Sequence, residues 1–165
     1  MSENFEEWGN YASVLFLLLM FIGGCAGSTT GGLKIFRFQI LFKYLNLHFR
    51  KMLQPHAVFA THFNGKKVSY TTYESVMIFF FLYILTFAVS ALLLSFSGLD
   101  FLTCVSASAS SISNVGPGLG EVIGPDGNYS LLTDYSKIVL IVPMFLGRLE
   151  MLTILVLFLP SFWKN

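Results

Sequence analysis

The sequence predicts an all-α membrane protein assembled from helix–re-entrant loop–helix repeats. Three observations carry the prediction. Mean hydropathy is +0.69, with 55% hydrophobic and only 12% charged residues, a balance that suits lipid rather than water as the main solvent. Apolar runs at Ser75–Phe96 and Ile138–Leu159 flank Ser106–Gly120, whose second half holds Gly116, Pro117, Gly118 and Gly120 and cannot stay helical. An earlier stretch, Leu15–Gly32, repeats the plan of a short apolar helix followed by glycine-rich extended backbone.

Non-helical backbone at membrane depth is tolerated only where protein buries it or where it lines a watery cavity. Two readings of Ser106–Gly120 follow. One is a re-entrant pore loop whose carbonyls replace the hydration shell of a cation; the other is a glycine-rich external loop. The second copy separates them. Laying Cys25-Ala26-Gly27-Ser28 over Asn114-Val115-Gly116-Pro117 brings Gly27 and Gly116 into register, and repeated helix–loop–helix units around a central site are a membrane-protein architecture.

Charge placement orients the chain. No acidic residue lies between Trp8 and Tyr73, an interval holding Lys34, Arg37, Lys43, Arg50, Lys51, Lys66 and Lys67, seven of the ten basic residues. The excess of Lys and Arg makes Lys43–Lys67 cytoplasmic. Asp100, Glu121, Asp126 and Asp134 against Lys137 alone put the later loops outside with the acidic start, and Lys164 returns the C-terminus to the cytoplasm. The net charge of +1 gives no reason to expect nucleic acid as a partner. Glu3, Glu6 and Glu7 precede the first apolar run, where a cleavable signal would carry positive charge. Cys25 and Cys104 lack metal-ligand spacing and read as small structural residues, and His48, His56 and His62 read as surface histidines. There is no GK[ST] phosphate loop, GxSxG elbow or carboxylate pair at membrane depth, so neither an enzyme nor a cofactor is expected.

In chain order, Tyr11–Ile22 is about a dozen residues long, short of the ~20 needed to span. It fits a pore helix dipping halfway, with a buried core helix or clipped span as the other reading. Gly23, Gly27 and Gly31 also satisfy GxxxG spacing, although the crowding of glycine with Ser28, Thr29 and Thr30 argues against a continuous dimerising helix. Leu33–Arg50 carries Lys34 and Arg37 on one face, which must meet protein or water. Pro55 ends that helix, and Asn64-Gly65-Lys66 turns a small hairpin between Ala57–Phe63 and Lys67–Tyr70. Tyr73–Phe96 is the clearest membrane helix. Asp100 caps Phe101–Ser113, a second pore helix whose carbonyl end favours a cation. Ser136–Leu159 is the last span, anchored by Trp163 and Lys164, and holds Arg148 and Glu150. A charge at mid-bilayer costs roughly 2.5–3.5 kcal/mol, so Arg148 must find carbonyls, a partner within the bundle or a wet cavity.

Four ordered motifs, Met20–Lys34 (MFIGGCAGSTTGGLK), Pro55–Val58 (PHAV), Asn114–Gly120 (NVGPGLG) and Gly147–Glu150 (GRLE), resemble the TrkH/KtrB superfamily of bacterial potassium-uptake membrane subunits, and more closely its TrkH branch. The resemblance covers essentially the whole chain and implies a place in a potassium-channel-like pore of four linked repeats. Residues 1–72 would be the third repeat from its pore helix onward and 73–165 the complete fourth, a C-terminal fragment lacking the other repeats. It implies potassium binding by the filter segments Cys25, Ala26, Gly27 and Asn114, Val115, Gly116. It also implies an inner helix beginning near Gly31 and Gly32 and interrupted by a gating loop below the filter, with Arg148 as the pore-side arginine beside that gate. The transported ion would be K+, the location the bacterial inner membrane, and the partners the missing repeats, a second copy in a homodimer, membrane lipid and a cytosolic nucleotide-binding ring of the TrkA type. Two filter segments cannot close a four-sided site, so this chain alone is expected to conduct nothing. The competing expectation is a non-transporting membrane subunit or degenerate product whose loops only pack.

Overall fold

The computed structural model of the chain describes residues 8–25, 28, 31–54, 62–63, 66–67, 69–120, 122–125, 127–149 and 163. The acidic lead-in, Ala26, Gly27, Pro55 to Thr61, Asn64, Gly65, Glu121, Asp126, Glu150, Lys164 and the later half of the last span lie outside these. The architecture is helical, as expected: α1 Asn10–Met20, α2 Ile35–Leu53, α3 Tyr70–Ser95, α4 Phe101–Ser113 and α5 Asp134–Arg148. A minimal hairpin stands between α2 and α3, where β1 His62–Phe63 pairs antiparallel with β2 Lys66–Lys67, Phe63 opposite Lys66.

Among the described residues, α3 alone is long and apolar enough to cross a membrane. Its start is set by Ser69, whose hydroxyl accepts from the Thr72 amide at 3.3 Å. Most of its wide apolar surface is exposed here, from Phe81 to Leu92, as befits a face that meets lipid or further protein. The buried side of α3 holds Tyr73, Val76, Phe79, Tyr83, Ser90 and Leu94. These recur at helical spacing and form the wall on which the other helices pack.

α4 begins where expected, with the Asp100 carboxylate accepting from the Leu102 amide at 3.2 Å. Thr103, Cys104 and every residue from Ser106 to Ser113 are buried. Small hydroxylated and methyl side chains let α3 and α5 close on both sides of this helix. α5 starts at the outer end of α3, where Ser136 Oγ donates to Ser97 Oγ at 2.8 Å and the Tyr135 hydroxyl to the Leu93 carbonyl at 3.3 Å.

The depth of each element follows from its neighbours on α3. Tyr83 lies near the middle of that helix, about a dozen residues and hence about 18 Å from its outer end. Its hydroxyl and Ser113 Oγ are 2.6 Å apart, so α4 stops at mid-span. Phe21, just past α1, lies edge-on to Tyr83 and Phe87, and Leu33, just before α2, packs with Phe79, Tyr83 and Ile112. The end of α1 and the start of α2 therefore share one level. α1 packs on α4, with Met20, Ala109 and Leu119 in one cluster that Phe87 of α3 joins, and α2 lies along the other half of α3, where Ile40 packs with Tyr73 and Val76.

Candidate functional site

The two glycine-rich stretches, alike in sequence, close differently in space. After α4 the chain turns left-handed at Asn114 (φ 55°), climbs back through an outer loop and descends again as α5. α5 passes its own later turns against the end of α4, where Asn114 Nδ2 donates to the Met144 carbonyl at 3.1 Å. After α1 there is no climb. The Gly23 amide donates to the Leu33 carbonyl at 2.8 Å and the Ile35 amide to the Gly24 carbonyl at 3.3 Å, with Ile22 and Leu33 bridged in parallel. α2 thus resumes where α1 stops. The Gly23–Lys34 loop interrupts one span at its middle rather than following a half-span.

The register that lays Cys25 on Asn114 therefore does not carry over to three dimensions. The Cys25 carbonyl accepts from the Ser28 amide at 3.0 Å within its own loop, and its side chain is exposed while Cys104 is buried. Ala26 and Gly27 lie outside the described residues. The interruption comes before Ile35, and α2 itself is unbroken to Leu53. Gly23 meets Gly31 inside the loop, where a Cβ on Gly23 would stand 2.8 Å from the Gly31 carbonyl oxygen, rather than facing a second helix.

Gly31 and Gly32 are buried and lie against the end of α4. A Cβ on Gly31 would stand 2.8 Å from the Ser113 carbonyl oxygen and 2.9 Å from Asn114 Nδ2. The interrupting loop is thereby seated under the first residues of Asn114–Gly120. Arg37, one turn into α2, is buried with its guanidinium 3.8 Å from the Phe79 ring centre, so the face that had to meet protein does so. Arg148, the arginine singled out from sequence, ends α5 and is exposed. The signal for Arg37 was present in its i, i+3 relation to Lys34, but nothing local to α2 named Phe79 as its partner.

In Asn114–Leu119 every backbone N–H is held on the α4 side or within the loop. The Asn114 amide donates to the Ser111 carbonyl, Val115 to the Ser110 carbonyl at 3.0 Å, and Gly116 to Ser110 Oγ at 3.1 Å. The Gly118 amide donates to the Ile123 carbonyl at 2.8 Å and Leu119 to Ser106 Oγ at 2.9 Å. In a planar trans peptide the carbonyl points opposite to the N–H it is bonded to. The Asn114 and Val115 carbonyls accordingly point away from Ser110, and among the described residues nothing donates to them. They lie beside the carbonyl end of α4, where the helix dipole adds negative potential. A cavity of about 650 Å³ borders this strand, lined by Ser110, Asn114, Gly116, Tyr129, Lys137 and Met144 among others.

Ser106 and Ser108 make a test of what the serines do. Ser106 Oγ accepts from the Leu119 amide at 2.9 Å and donates to the Leu119 carbonyl at 3.1 Å. Ser108 Oγ is buried with no partner among the described residues. Replacing Ser106 by Ala strands two buried backbone groups and is expected to cost about 2–4 kcal/mol. Replacing Ser108 by Ala is expected to be neutral or slightly stabilising. Thermal unfolding of the two variants, side by side, checks the contrast.

The sequence matches the TrkH family, described as a cation transport protein, over residues 2–165. The Trk system potassium uptake protein TrkI of Halomonas elongata is 46% identical over 99% of the chain. The Trk system potassium uptake protein TrkH of Escherichia coli is 37% identical over 99%. The crystal structure of the potassium transporter TrkH from Vibrio parahaemolyticus superposes with a TM-score of 0.85 at 40% identity, over 96% of the chain. In each case the chain spans 33% of the relative's length. With a family match across nearly every residue and a shared helical membrane architecture, the chain belongs to the TrkH family of cation transport proteins.

Proposed function

We propose that the chain forms one side of a potassium-uptake pore, with Asn114, Val115 and Gly116 as its cation-filter segment. The observation that carries the reading is the pair of adjacent carbonyls, on Asn114 and Val115, turned away from α4 at mid-span with no donor among the described residues. Carbonyls so placed can replace part of a cation's hydration shell. The relatives are named as potassium uptake proteins, which supplies the ion. The same reading assigns Gly31 and Gly32, with the loop they close, to the gate beneath the filter, and Arg148 to the same side of the pore. Cys25, Ala26 and Gly27 move from filter to gate, because α2 resumes at the level where α1 ends.

Residues 73–165 then form a complete helix–filter–helix repeat, the fourth. Residues 1–72 hold the interrupted inner helix of the third and a cytoplasmic connector. A single filter segment makes one side of a four-sided site, so flux requires the remaining repeats. In this reading the assembly is a homodimer in the bacterial inner membrane, bathed by lipid. A nucleotide-binding TrkA-type ring meets the cytoplasmic side, near the exposed Arg50 and Lys51, and the C-terminus also lies in the cytoplasm.

A chimera in which this chain replaces the matching third of Vibrio parahaemolyticus TrkH is the direct test. Expressed in a bacterium that lacks its own potassium-uptake systems, it is expected to restore growth at low potassium and rubidium uptake. A chimera present in the membrane at parental level but transporting nothing would count against the reading.

A further inference from the structure

Gly116 is a joint of the filter strand that no side chain of its own fixes, and two hydroxyls hold it. Its φ is +110° and the space where a Cβ would stand is open, so neither sterics nor packing fixes the Val115–Gly116 plane, while Pro117 leaves the next plane only a limited tilt. The two hydroxyls fix both planes. Ser110 Oγ accepts from the Gly116 amide at 3.1 Å, which holds the Val115–Gly116 plane with the Val115 carbonyl facing the opposite way. The Tyr129 hydroxyl donates to the Gly116 carbonyl at 2.8 Å, which holds the Gly116–Pro117 plane with its carbonyl drawn back toward the outer loop.

Both hydroxyls are themselves positioned. Ser110 is buried in α4, and its own carbonyl accepts from the Val115 amide. Tyr129 opens a short 3-10 turn, Tyr129–Leu131, capped by Asn128, whose side chain accepts from the Ser130 amide at 3.0 Å. Its ring packs against the cluster of Leu94, Cys104, Ala107, Ile123, Leu132 and Leu140. Burial pushes the Tyr129 phenol above its ordinary pKa, while the Ser110 hydroxyl beside it acts in the opposite direction. At neutral pH the phenol keeps its proton and remains a donor.

We propose that Ser110 and Tyr129 are positioning residues that clamp the two peptide planes around Gly116 and thereby set the cation selectivity of the strand. The inference rests on the filter reading above. Selectivity depends on how many carbonyls meet the ion and where they stand. With the clamp closed, the Val115 carbonyl points to the ion side and the Gly116 carbonyl does not. With the Ser110 hydroxyl removed, the Val115–Gly116 plane is free to flip about the glycine's φ. With the Tyr129 hydroxyl removed, the fixed φ of Pro117 limits the Gly116–Pro117 plane to a tilt about the glycine's ψ. In either case the strand presents a shifted set of oxygens.

The experiment uses the chimera with Vibrio parahaemolyticus TrkH and measures rubidium and sodium uptake, normalised to protein in the membrane. Y129F and S110A are each expected to lower the rubidium-to-sodium ratio about fivefold, the equilibrium weight of one ordinary hydrogen bond, with rubidium uptake still measurable. The double variant is expected to fall short of the product of the two, because both hydroxyls hold the same joint. A purely structural role would lower both fluxes together and leave the ratio alone, and that result overturns the clamp. If Y129F fails to reach the membrane, S110A decides by the same ratio. Gly116→Asp separates the two levels. If it silences transport while Y129F and S110A leave the ratio unchanged, the clamp falls and the filter stands. If it transports like its parent, the filter reading falls and the clamp with it.

Discussion

Gly116→Asp in the chimera is expected to bring rubidium uptake down to background, a loss of at least about 100-fold, with the protein still present in the membrane. Three effects act together. At φ +110° any side chain is strained, at about 1–3 kcal/mol. The new carboxylate would project into open space beside the Val115 carbonyl, because nothing lies within 4 Å of that position. There a full negative charge replaces a neutral dipole, and conduction needs a cation site weak enough to release its ion. The charge would also stand at the carbonyl pole of α4, where a cation is favoured and an anion is not. Gly116→Ala carries the strain without the charge and is expected to fall between parent and Asp. Undiminished rubidium flux through Gly116→Asp would remove this residue from the ion path.

Gly147→Leu is expected to act on folding instead. A Cβ at Gly147 would overlap the Ile112 carbonyl oxygen and approach Asn114 Nδ2 to 3.2 Å. α5 crosses the last turn of α4 backbone against backbone, so the nearest obstacle, the Ile112 carbonyl, is main chain rather than the flexible end of a side chain. Overpacking of a core costs typically about 1–3 kcal/mol. Here the cost lies at or above the upper end, because relief requires moving α5 and breaking the Asn114 to Met144 bond. Thermal unfolding of the purified chimera in detergent is the measurement, with a midpoint several degrees lower or no folded protein recovered. Uptake should fall in proportion to folded protein, whereas Gly116→Asp loses uptake at unchanged protein. A Gly147→Leu variant with parental stability would contradict the close crossing.

How much of this was legible in the residues differs from element to element. Phe101–Ser113 was read to the residue, because Asp100 is a strong N-cap and Gly116-Pro117-Gly118 prevents continuation. α3 was placed within three residues at its start and one at its end, its apolar run being unbroken after Glu74. The first stretch closes differently from the second, which its sequence plan did not reveal. A short apolar helix followed by glycines reads the same whether the chain then climbs back as a filter or resumes its descent. The difference lies in the Gly23–Leu33 and Gly24–Ile35 bonds, pairings across a loop whose closure no local pattern specifies.

Sequence alone determined the solvent and the places where helices must stop, because hydropathy and the conformational limits of glycine and proline act locally. It also carried the family, through motifs spread along the whole chain. Only the tertiary structure distinguished the stop after which the chain turns back from the one after which it continues in the same direction. That choice turns on levels: Tyr83 holds the end of α4 at mid-span, and Phe21 and Leu33 bring α1 and α2 to the same height. Only the fold, too, brought Tyr129 back over Gly116, since a hydroxyl thirteen residues away in sequence acquires its partner when the outer loop closes onto the strand.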